Sequence, residues 1–138
     1  MTMTPWLTEE NKYEVDYLGY KGYVVRHHQF GCLNGYVVIS KEHMLHGCKY
    51  CNELVRDLNV HGGITFANSC LINLNGTVAE ILVSEKSNQW VFGFDTAHCY
   101  DLLPSLSDAG LPEQVYRDKD YVIEQVKRLI SQLKALEV

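Results

Sequence analysis

The stretch 119–137 limits the fold more than any other part of the chain. Val122, Val126, Leu129, Leu133 and Leu136 recur at steps of four and three. That spacing lines one face of an α-helix. Asp118 or Asp120 stands where an N-cap belongs. A helix with one apolar stripe needs a surface to lie on. The upstream sequence supplies it.

Residues 13–18 alternate Tyr13, Val15 and Tyr17 against acidic residues, as in a half-buried strand. Gly19 and Lys21-Gly22 mark a turn, and 22–30 read as a second strand. After a turn over 31–35, the third strand, 33–40, contains Tyr36-Val-Val-Ile39, a continuous apolar run expected of a more central position. Short glycine-marked turns predict an antiparallel meander. From residue 48 on, Cys51, Leu54, Val55 and Leu58 form one helical face. Residues 62–66 read as strand, and Asn75-Gly76 as a turn. Strands at 77–84 and 89–94 are joined by polar 85–88, and 102–114 is a loop carrying Pro104, Gly110 and Pro112. The expectation is an α+β fold: a mainly antiparallel sheet, a helix after residue 48, and a long C-terminal helix packed on the sheet. It spans one domain, 1–138, with 1–11 an irregular lead-in anchored by Trp6.

A chain of 138 residues can bury a real core without staples. Its net charge of −5, with no Lys/Arg cluster, argues against binding a nucleic-acid duplex. There is no run of about 18 apolar residues to span a membrane, and 1–11 lack the apolar core of a signal peptide. The expected location is cytoplasmic, where Cys32, Cys48, Cys51, Cys70 and Cys99 stay thiols.

The chemistry gathers in two abrupt patches. Trp90-Val-Phe-Gly-Phe94 is apolar and stops at Asp95, after which His98 and Asp101 follow at intervals of three. In the second, His61 sits beside Gly62-Gly63. Asp95 and His98 at i and i+3 can share a face of a helical turn. With His61 from a neighbouring strand they make three N/O ligands for a divalent metal such as zinc, which would lower the pKa of a bound water. Without metal, His61 or His98 can be a general base with Asp95 holding its tautomer. The plainer account makes Asp95 an N-cap, His98 a carboxylate's hydrogen-bond partner and the glycine pair a bend.

His43-x-x-His46-x-Cys48-x-x-Cys51 packs four zinc-type ligands into nine residues. The lack of a second Cys-x-x-Cys, and the place of Cys51 on a helical face, argue for a small buried hydrophobe instead. His27-His28 point to opposite faces if they lie in a strand. Arg26 and Lys21 near by suit an anion or plain solvent exposure. Arg117 suits an anion or a salt bridge with Asp118 or Asp120, the latter preferred.

These segments resemble a widespread group of small, uncharacterised bacteriophage proteins. The likeness rests on Asn34-Gly-Tyr-Val-Val-Ile39 with Lys41-Glu-His43, on Val60-His-Gly-Gly-Ile-Thr-Phe66, on Trp90 through Asp101, and on Tyr116-Arg-Asp-Lys-Asp-Tyr-Val122. It runs over roughly 20–130, with His-Gly-Gly-x-Thr and Gly-Phe-Asp-x-Ala-His-x-x-Asp as its most specific patterns. It implies action inside an infected bacterium and singles out His43, His61, Asp95, His98 and Asp101. Cys48-x-x-Cys51 is not part of the pattern. The resulting expectation is a small hydrolase, with or without metal, acting on a nucleotide-like or other small polar molecule. His61, Asp95 and His98 are its ligands or acid/base groups, Asp101 their partner and His43 a rim residue. Two other readings stand beside it. One is a non-catalytic protein that blocks a host defence factor or sequesters a ligand. The other is a buried polar network that only fixes the fold.

Overall fold

The computed structural model describes residues 8–27, 30–68, 90–98, 101–104 and 114–137. Within them the chain is α+β. Strands β1 (Lys12–Tyr17), β2 (Tyr20–Arg26), β3 (Leu33–Ile39), β4 (Phe66–Asn68) and β5 (Trp90–Phe94) form one sheet in the order β1-β2-β3-β5-β4. Every neighbouring pair is antiparallel. Helices are α1 (Glu53–Arg56) and α2 (Lys119–Ala135). The expected anchor Trp6, the Asn75-Gly76 turn, the 77–84 strand with its link 85–88, most of the 102–114 loop, His28, Cys70 and Cys99 lie outside the described residues.

The meander forms as its pattern dictates. Tyr17 pairs with Tyr20 across Leu18-Gly19, both at positive φ (51° and 83°), the geometry of a two-residue hairpin turn. Alternation then sorts the side chains. Val15, Val24 and Val37 turn to the face that α2 covers, while Tyr23, Val25, Tyr36, Val38 and Val91 form a second cluster. All seven residues of β3 are buried, as its apolar run requires of a strand inside the sheet.

Helix α2 starts at Asp118, whose side chain accepts from the Tyr121 N–H. Glu9 takes the Lys119 N–H at 2.8 Å and so ties the N-terminal lead-in to the helix. The tie continues through Tyr116, which donates to Glu9, and through Arg26, which donates to Tyr116, Asn11 and the Gly31 carbonyl. Arg26 is therefore a structural clasp and not an anion receptor, and Lys21 pairs with Asp16. Val122, Val126, Leu129, Ile130 and Leu133 are fully buried on the sheet. Each such burial contributes about 1.5–3 kcal/mol. The contact is close because Gly35 has no side chain. A Cβ there would stand 2.4 Å from the Phe94 ring and 2.8 Å from Val126.

Three local expectations need correction. The helix after residue 48 is a single turn. Asn52 accepts from the Leu54 and Val55 N–H groups and fixes its start, leaving Cys51 exposed and Leu54 43% exposed, while Val55 and Leu58 are buried. The strand expected over 62–66 begins only at Phe66, because Gly62 and Gly63 sit at φ 70° and 80°, outside the β region. β2 ends at Arg26. His27 enters the turn: its N–H donates to the Cys32 carbonyl at 2.7 Å, its Nδ1 accepts from the Phe30 N–H, and its ring stacks on Phe30.

Candidate functional site

The site lies where three pieces meet: the loop after α1, the turn after β5 and the N-terminal end of α2. Its hub is Asp101, only 1% exposed. The segment around it is held by Leu102 N–H donating to the Val115 carbonyl. The carboxylate takes His61 Nε2 at 2.9 Å, His98 Nδ1 at 3.1 Å, the His98 backbone N–H at 3.1 Å and Arg117 Nε at 2.8 Å. A carboxylate offers about four acceptor positions, so these donors fill it. Burial pushes the Asp101 carboxyl up. The hydrogen bonds from Arg117, His61 and His98 outweigh it and hold the group below its ordinary value.

The two histidines differ. The His61 side chain is 4% exposed, and both ring nitrogens are engaged: Nε2 with Asp101, Nδ1 with the Tyr121 hydroxyl at 2.6 Å. A nitrogen facing a carboxylate carries the proton, so His61 is the Nε2–H form and Tyr121 donates to Nδ1. Its backbone is fixed as well. Gln125 accepts the His61 N–H at 2.8 Å, and Gln132 brackets Asn59 through both its N–H and its carbonyl. Gln125 and Gln132 lie seven residues apart on one face of α2.

The His98 side chain is 26% exposed. Its Nδ1–H points at Asp101, so in the neutral ring the lone pair is on Nε2, at the edge that includes Cε1. That edge lies against Gly62. A Cβ on Gly62 would fall 2.1 Å from His98 Cε1 and 2.3 Å from Nε2. Gly62 thus makes the turn and leaves room for the catalytic candidate. At Gly63 a Cβ would meet nothing within 4 Å. The two imidazoles stand edge to face, 5.4 Å between centroids.

Asp95 occupies a different role from the one expected by spacing. Its Oδ1 accepts from the Ala97 N–H at 3.1 Å and its Oδ2 from the Thr65 hydroxyl at 3.0 Å. It closes the turn after β5 and ties it to the segment before β4. Its Oδ1 lies 3.7 Å from His98 Nε2, beside the cluster. The ligand-type atoms that gather within 4.8 Å of one another belong to His61, His98 and Asp101. That set exchanges the Asp95 of the expected metal triad for Asp101.

His43 is not brought to this site. Its Nε2 donates to the Leu133 carbonyl at 2.9 Å and its Nδ1 accepts from the Leu45 N–H at 3.0 Å. Leu133 is twelve residues along α2 from Tyr121, about 18 Å at 1.5 Å per residue. Nor do the four residues of the His/Cys motif converge. Among the described residues, His61, His98 and Asp101 are the one group placed to hold a metal. Trp90 donates to the Cys48 carbonyl, and Cys51 is exposed. Cys32, Cys48 and Cys51 are free, and burial pushes the Cys32 thiol up to about 11, so it stays protonated.

Sequence reasoning missed Tyr121, Gln125, Gln132 and the true partner of Arg117. Arg117 pairs with Asp101, while Asp118 caps the helix and Asp120 pairs with Lys119. The available signal was polar residues at 121, 125 and 132, which share a flank of the helix beside its apolar stripe. No family model, no curated protein and no solved structure matches the chain, so the reading of this site rests on its geometry.

Proposed function

We propose that the chain is a small phage-encoded hydrolase acting on a nucleotide-like or other small polar substrate in the host cell, with His98 as its acid/base group. The observation that carries this reading is the Asp101–His98 pair. A buried carboxylate holds Nδ1–H at 3.1 Å in a ring whose side chain is 26% exposed. That is the arrangement by which a carboxylate orients an imidazole and stabilises the imidazolium formed when it takes a proton. In the hydrolytic step, Nε2 takes a proton from water as its oxygen bonds to the electrophilic centre. The same proton then passes to the leaving group as its bond breaks. His61 does not reach substrate. Held at Nδ1 by the Tyr121 hydroxyl, it fills one side of Asp101 and fixes the carboxylate in place. Arg117 keeps that carboxylate ionised.

A metal-assisted form has one supporting observation, the nearness of the His61, His98 and Asp101 ligand atoms. The fit is incomplete. An ion there would displace the hydrogens on His61 Nε2 and His98 Nδ1 and would sit beside a carboxylate already bound to Arg117 Nε at 2.8 Å. The metal-free form is the conclusion.

The test is a panel of nucleoside mono-, di- and triphosphates and cyclic nucleotides incubated with chelator-treated protein. The reading expects turnover of one class, lost by about two orders of magnitude or more in His98→Ala. Turnover unaffected by His98→Ala, or one equivalent of zinc retained after purification without added ions, overturns it.

A further inference from the structure

The other end of α2 holds a feature that the hydrolase reading does not use. A cavity of about 550 Å³ opens there, within the range of small-molecule pockets. Tyr20, Ser40, Glu42, His43, Met44 and Glu137 line it. Glu42 and His43 of the Lys41-Glu-His43 motif, left unexplained by the first site, fall on this wall.

Its electrostatics favour one sign of ligand. The C-terminal end of a helix carries partial negative charge on its last carbonyls, and Leu136–Glu137 forms this end of α2. Glu137 accepts from the Tyr20 hydroxyl and from Lys134 Nζ at 3.2 Å. The Tyr20 hydrogen bond first, and Lys134 second, hold its carboxyl below the ordinary range, so it is ionised. Glu42 is exposed and makes no ion pair among the described residues. His43 spends both ring nitrogens on backbone groups and adds no charge in that form. Lys21, the cation on the wall, leans toward Asp16 at 3.8 Å. The rest of the surface is apolar and adaptable: the Tyr20 ring, the Met44 thioether at 53% exposure, and Leu136.

We propose that this cavity is a binding site for an organic ammonium ion, a primary amine on a short apolar body. The ammonium sits between Glu42, Glu137 and the helix end, and the apolar part lies against Tyr20 and Met44. The proposal is independent of the hydrolase reading.

The test uses the full chain, n-butylammonium as probe, and n-butanol and butyrate of the same length as controls. Amide resonances of Ser40, Glu42 and Glu137 are followed through a titration. The expected result is saturable shifts with the amine that neither control reproduces. Glu42→Gln should weaken binding about fivefold, and Glu42→Gln with Glu137→Gln should abolish it. Resonances of His61 and His98 serve as the check that the variants are folded and that the response is local. Equal binding of butanol makes the cavity a plain apolar groove and overturns the proposal. Preferred binding of butyrate, absence of shifts with the amine, or full binding by the double variant overturns it as well.

Discussion

Histidines pack at both ends of helix α2, and the contrast between them separates architecture from chemistry. At the C-terminal end, His43 bridges the Leu133 carbonyl and the Leu45 N–H. Both partners are backbone, so the ring works as a fastener between a loop and a helix end whose carbonyls need donors. At the N-terminal end, His61 and His98 find side chains, and both converge on one buried carboxylate. Polar side chains that satisfy one another away from water are costly to assemble and sensitive to loss of a member. The same residue type, set beside opposite ends of one helix, does different work because of what its nitrogens meet. His98 differs again from His61, since its side chain is 26% exposed against 4%.

The contrast breaks most readily at Asp101. Asp101→Ala leaves Arg117 and two imidazole donors without their acceptor and should cost about 3–5 kcal/mol, read by denaturant unfolding. A cost below about 1 kcal/mol would make the hub a surface-type network after all. The same group gives a pH signature. Its folded pKa lies below the ordinary value, so its contribution is fully present above the unfolded value near 3.9 and fades as pH falls through the folded value. Stability of the native chain should therefore fall on acidification below about pH 4 more steeply than that of Asp101→Asn. Parallel acid curves would remove Asp101 as the linked group.

Gly62 and Gly63 sharpen the contrast within the site itself. Both have positive φ, so alanine at either costs about 1–2 kcal/mol of backbone strain. Only Gly62→Ala also strikes the His98 ring, adding about 1–3 kcal/mol of repacking. Equal thermal stability of the two variants, or unmoved His98 resonances in Gly62→Ala, would detach the glycine pair from the site. At the other end, His43→Ala should cost about 1–2 kcal/mol for its two hydrogen bonds. It should leave the His61 and His98 resonances in place. A shift in them would mean that the two ends of the helix are coupled.

The fold was legible wherever a face is buried along a whole element. The alternation of Tyr13, Val15 and Tyr17, the apolar run of β3 and the stripe of α2 each encode their partner surface in their own period. Among the local signals that misled, two are instructive. Four apolar residues from Cys51 to Leu58 mimic a longer helix, but Asn52 starts it late and Asp57 closes it after one turn, and Gly62-Gly63 stand where a strand was expected. Within the site, His61 and His98 stood out by their abrupt polarity. The ranking of Asp95 above Asp101 failed because adjacency in sequence does not report burial. Asp101 lies under Arg117 and His61, which come from 16 residues later and 40 residues earlier. The roles of Tyr121, Gln125 and Gln132 were hidden for the same reason. A helix pattern names the face but not the loop that will dock on it.

The central claim is that Asp101 sets the protons on both histidines, and imidazole ¹⁵N NMR reads those protons directly. For the neutral rings the account predicts His61 protonated on Nε2 with a hydrogen-bonded Nδ1, and His98 protonated on Nδ1 with the lone pair on Nε2. A neutral His98 protonated on Nε2 instead, with Nδ1 bare toward Asp101, would contradict it.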